Sequence, residues 1–143
     1  PADPDAMCVH GNPNVLTFLG QLYLLREEPD RAAAAFEESL RIHPDQAYTC
    51  VLAARALGQS GRTGEAEAAL SRAAMLARPG SDEAALLDRV TAEVMARTAP
   101  ARARAAWERY IARLRSTPEL TRAGQADLVD AERQLASLDG GRP

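Results

Sequence analysis

Apolar residues return every third or fourth position along most of this chain, and almost nowhere alternate with polar ones. Leu16, Leu19 and Tyr23 set the pattern. Ala32 and Phe36 continue it, followed by Ala66, Leu70 and Ala73, then Leu87, Val90 and Val94, and then Ala103, Trp107 and Tyr110. This is the period of an amphipathic α-helix and not of a strand. Prolines and caps divide the pattern into segments. Pro13, Pro29 and Pro100 sit at helix starts, where a missing N–H costs nothing, and Ser81 and Thr117 precede acidic or proline-led turns as N-caps. Gly61 and Gly64 bracket a tight turn. The predicted helices are 14–27, 30–42, 46–60, 64–77, 82–98, 101–116 and 119–138, with a loose leader before residue 13 and a loose tail over 140–143.

The helices repeat. Shifting the segment around Leu16 by 34 residues places Leu19 on Ala53, Gly20 on Ala54, Tyr23 on Leu57, Ala32 on Ala66 and Phe36 on Leu70. Small residues meet small ones and large meet large. With a slip to 37 the phase continues, Ala66 falling on Ala103, Leu70 on Trp107 and Ala73 on Tyr110.

This pattern resembles the tetratricopeptide repeat, W-x2-L-G-x2-Y followed by A-x3-F and a proline. Leu16, Leu19-Gly20, Tyr23, Ala32, Phe36 and Pro44 carry the first copy. Ala66, Leu70 and Ala73 carry the second, with Pro79 one residue late, and Ala103, Trp107, Tyr110 and a late Pro118 carry the third. The resemblance covers residues 13–118 in three helix pairs, 13–46, 47–80 and 81–118. It implies an all-α solenoid with a concave side, because one helix pair cannot bury its own apolar face and must stack on neighbours. Residues 119–139 place Leu128, Ala131, Leu135 and Leu138 on one face, suited to a helix that caps the open end.

Composition supports helices and narrows the partners. The 143 residues, 46% hydrophobic and only 4% aromatic, are rich in Ala, which favours close helix packing. The net charge of −3 argues against nucleic acid as the main partner. No apolar run approaches the ~20 residues of a membrane span, and bacterial origin is suggested by 17 basic residues that are all Arg. The compartment stays open between cytoplasm and periplasm.

Motifs for chemistry are sparse. The sequence has no G-x-S-x-G, P-loop or H-E-x-x-H, so no catalytic residue, metal or cofactor is assigned. Cys8-Val9-His10 supplies one sulfur and one nitrogen ligand, short of a closed metal site. Arg97, Arg102, Arg104, Arg109, Arg113 and Arg115 form two basic stripes that either meet solvent or receive an acidic segment.

In tetratricopeptide proteins the first helix of each pair lines the concave groove. The resemblance therefore nominates Asn14, Thr17 and Gln21, then Tyr48, Val51 and Arg55, then Asp88, Arg89 and Ala92 as partner-binding residues. The implied function is a non-enzymatic adaptor that docks a peptide or helix of a partner protein. The family's clamp for C-terminal carboxylates uses a Lys that this chain lacks. Two alternatives accompany that reading. One is a cell-envelope assembly factor or chaperone, since Trp107-Glu108-Arg109-Tyr110 is similar to periplasmic domains of cytochrome c maturation. The other is a self-assembling structural protein, one copy's groove accepting another's cap or leader.

Overall fold

The computed structural model describes residues 11–140, so the readings made for Cys8-Val9-His10 and for Gly141 to Pro143 lie outside the described residues. Every regular element among the described residues is an α-helix. The chain separates into two compact units, one through Pro79 and one from Gly80 onward.

Two antiparallel helix pairs make the first unit. α1 (Pro13–Leu25) pairs with α2 (Pro29–Ile42), and α3 (Ala47–Gln59) pairs with α4 (Thr63–Leu76). α2 also packs on α3, which joins the pairs. Prolines open α1 and α2 as expected, and the Asn12 side chain caps α1 by accepting from the Asn14 and Val15 amides at 3.0 and 3.4 Å. The turn between α3 and α4 needs Gly61 at φ 77°, a left-handed conformation that side chains resist. Gly64, by contrast, lies inside α4 with nothing crowding its Cα.

The interior follows the repeat. Ala32, Phe36, Cys50, Ala54, Ala66 and Ala73 are wholly buried. Gly20 shows why the motif requires a small residue there, because a Cβ at that position would lie 2.5 Å from the Phe36 ring. Burial pushes the Cys50 thiol above its ordinary pKa, with the Arg72 charge opposing in part, so Cys50 behaves as a small core residue.

In the second unit α5 (Asp82–Met95) pairs with α6 (Pro100–Ser116), and α7 (Arg122–Gly140) packs on α6. Ser81 caps α5 as expected, accepting from the Ala84 amide at 3.2 Å. Thr117 does not start the last helix. It ends α6, its hydroxyl donating to the Arg113 carbonyl, and Thr121 takes the capping place by accepting from the Gly124 amide at 3.1 Å. The physical reason is Pro118, which lacks the N–H of a helical turn and biases Thr117 to its extended φ of −78° and ψ of 118°. α7 thus starts three residues later than the sequence indicates and runs on through Gly140. Ala92, Ala106, Trp107, Tyr110, Ile111 and Ala131 form the core, with Trp107 and Tyr110 edge to face at 6.0 Å.

Candidate functional site

The first helices of the two pairs in the first unit stand side by side and are joined at the surface. Gln21 Nε2 of α1 donates to the Tyr48 hydroxyl of α3 at 2.6 Å. Tyr48 keeps 43% of its surface exposed, and Asn14 is exposed one helical turn before Thr17. Arg55 lies half-buried two turns along α3 from Tyr48. Asn14, Gln21, Tyr48 and Arg55 thus offer amide, phenol and guanidinium groups, with donors and acceptors suited to a peptide backbone or a carboxylate.

Thr17 and Val51 lie beneath that surface. Val51 is completely buried and Thr17 nearly so. The Thr17 hydroxyl meets Ser39 Oγ at 2.9 Å and Thr49 Oγ1 at 3.1 Å. Ser39 in turn donates to the Pro13 carbonyl at 2.8 Å, and Thr49 donates to Gln46 Oε1 at 2.7 Å. These hydroxyls satisfy one another where α1, α2 and α3 meet, so Thr17 holds helices together and is not presented to a partner. The expectation that Thr17 and Val51 contact a partner is therefore corrected: both are buried between helices.

The α5 residues carry a different duty. Ala92 is wholly buried in the core of the second unit, which removes it from any contact surface. Asp88 accepts from Arg109 Nε of α6 at 2.9 Å. Arg89 donates to Glu93 at 3.1 Å and to Asp127 of α7 at 3.2 Å, and its guanidinium lies 6.0 Å from the Tyr110 ring centre. Partial burial disfavours the charge on Arg89, but the hydrogen bond and charge of Glu93 outweigh it and raise its pKa. Asp88 and Arg89 therefore tie α5 to α6 and α7.

The basic stripes of α6 are largely neutralised at home. Arg113 donates to the Gly80 carbonyl and to Asp82, Arg109 pairs with Asp88, Arg104 with Glu108 and Asp139, and Arg115 with Glu132. These exposed pairs contribute little stability, each about 0–1 kcal/mol, yet they lower the positive potential that an acidic partner would seek. Alongside them runs a groove that the sequence did not reveal. Between α6 and α7 a cleft of about 400 Å³ has a floor of Ile111, Ala112, Leu135 and Ala136, edged by the Arg115–Glu132 pair. Its only sequence signal is the apolar face of the last helix, which reads equally well as a closed contact.

Among the described residues no group of His, Cys, Asp and Glu could hold a metal ion, and no helix is long and apolar enough to cross a membrane. The family model of the tetratricopeptide repeat matches residues 23–90, and with the all-helical paired architecture this supports a tetratricopeptide repeat protein. Repeats of this family generally mediate protein–protein interaction and are generally not catalytic. A comparison with curated proteins gave no match.

Proposed function

We propose that this chain is an interaction module that docks an extended peptide or a helix of a partner protein along α1 and α3, with Asn14, Gln21, Tyr48 and Arg55 as the contacting side chains. The observation that carries the reading is the exposed Gln21–Tyr48 bridge. A hydrogen bond between two exposed side chains adds little to stability. It does hold a phenol and an amide in one orientation, and a preorganised aromatic with a polar tip is the kind of anchor that interfaces use. The buried hydroxyl cluster beneath keeps the two helices in fixed register. Docking on such a surface needs little rearrangement.

Capture of partners from a lysate of the source organism tests this. Changing Gln21, Tyr48 and Arg55 together to Ala is expected to abolish capture while shifting stability by roughly 0.5 kcal/mol per site. The companion variant with Arg102, Arg109 and Arg113 changed to Ala is expected to retain it. Loss of capture in the companion and retention in the triple variant would move the site to α6.

A further inference from the structure

The cleft between α6 and α7 is walled by two stripes of one period. Glu108, Ile111, Ala112 and Arg115 supply one wall, spaced by three, one and three residues. Glu132, Leu135, Ala136 and Asp139 supply the other with the same spacing, which is that of a helix face able to pack on a further helix. Ala112 and Ala136, in the middle of each stripe, are both exposed. Two small side chains lining a space of about 400 Å³ let a helix come close.

The first unit shows what lies on such a face. The repeat sets Ala32 on Ala103 and Phe36 on Trp107, so Glu37 of α2 is the counterpart of Glu108, and Pro44, just past α2, that of Arg115. Both are held by α4. Arg62 at its N-cap donates to Glu37 at 3.3 Å, and Arg72 near its other end donates to the Pro44 carbonyl at 2.9 Å. α4 therefore runs parallel to α2 while it pairs with α3. α7 takes the place of α3, since α3 packs on α2 as α7 packs on α6. Among the described residues α3 has a mate and α7 has none. Burial differs accordingly, α3 burying both Cys50 and Leu57 with most of its length and α7 only Ala131.

We propose that the cleft is the seat of a partner protein's helix, laid along α6 and α7 as α4 lies along α2 and α3. Charge sets its direction. At one end Glu108 and Asp139 share the guanidinium of Arg104, which leaves an excess of negative charge, whereas at the other Arg115 and Glu132 neutralise each other. The occupant points its N-terminus, the positive end of the helix dipole, at Glu108 and Asp139 and carries a basic residue there, as Arg62 does toward Glu37. Its contact face is small and apolar, Ala-x3-Leu-x2-Ala, the pattern by which Ala66, Leu70 and Ala73 bury α4. In this chain those residues are already consumed, Ala66 and Ala73 at 0% and Leu70 at 4% exposure, so a second copy does not supply them. The seat lies in the second unit and is independent of the partner surface proposed on α1 and α3.

The probe is a peptide of residues 62–76, cross-linked between positions 64 and 68 and between 71 and 75, all exposed on α4, so that it stays helical. Titrated into the isotope-labelled full chain, it is expected to shift the amides of Ile111, Ala112, Leu135 and Ala136. Ala136→Trp, which fills the cleft from an exposed position, is expected to weaken binding at least about tenfold with an unchanged circular dichroism spectrum. Glu108→Arg is expected to weaken it about tenfold, and a peptide carrying Arg62→Glu is expected to bind that variant better than the original peptide does. A helical peptide that leaves the four amides unmoved overturns the proposal, as does binding indifferent to Ala136→Trp. Shifts at α3 alone would show competition for the seat of α4 and overturn it equally. Failure of the charge exchange overturns the direction.

Discussion

Gly20→Leu lowers the melting midpoint of the first unit by several degrees. Even the first carbon of a side chain there would lie 2.5 to 2.7 Å from three atoms of the Phe36 ring. Phe36 is wholly buried, and a close-packed interior leaves its ring little room to yield. Replacing a helical glycine gains at most about 1 kcal/mol of helix propensity. Overpacking costs about 1–3 kcal/mol, and leucine adds three carbons beyond the one that already clashes, so the loss prevails. Each kcal/mol lowers the midpoint by about 4 °C or more in a unit of this size. Thermal melting by circular dichroism reads it directly, and an unchanged midpoint would place α1 in a different phase against α2.

Deleting residues 119–143 has a larger effect, confined to the second unit. α7 supplies Ala131 to the core and lays Leu128, Leu135 and Leu138 against it. Without it Ile111, now 5% exposed, and the edge of Trp107 face water. Losing three half-buried leucines costs about 1 kcal/mol each and exposing Ile111 about 1.5–3 kcal/mol more. The sum approaches the whole stability of a small domain, about 5–15 kcal/mol. The truncated chain is expected to lose helicity beyond the deleted segment and to aggregate. A soluble truncation melting like the full chain would show that α7 is an appendage and not a cover.

Local signals made most helix boundaries legible. Pro13, Pro29 and Pro100 stand at the first positions of their helices, and Ser81 caps where it should. The start of α7 misled because Thr117-Pro118-Glu119 has the residues of an N-terminus, while the capping hydroxyl belongs to Thr121. The arginine stripes looked uncommitted because their acidic partners, Asp82, Asp88, Glu132 and Asp139, lie 17 or more residues away, beyond helical spacing.

The proposed contact surface was legible only in part. One residue turns a helix by 100°, so Thr17 and Val51 fall at the edge of the groove phase, and a threonine suits a buried hydroxyl cluster as well as a surface. α1 posed the opposite difficulty. Apolar on nearly every side, it gives no periodic sign of which side packs inward. Thr49, Leu52 and Ala56 are buried at the equivalent positions of the next repeat, whereas Val15, Phe18 and Leu22 stand exposed.

Amide chemical shifts of the labelled chain, followed while a partner captured from lysate is titrated in, test the central claim most directly. Shifts are expected to concentrate at Asn14, Gln21, Tyr48 and Arg55, with the side-chain amide of Gln21 among the largest because its donor leaves the Tyr48 hydroxyl or is reinforced there. Shifts confined to Ile111, Leu135 and Ala136 would contradict it and assign binding to the cleft between α6 and α7.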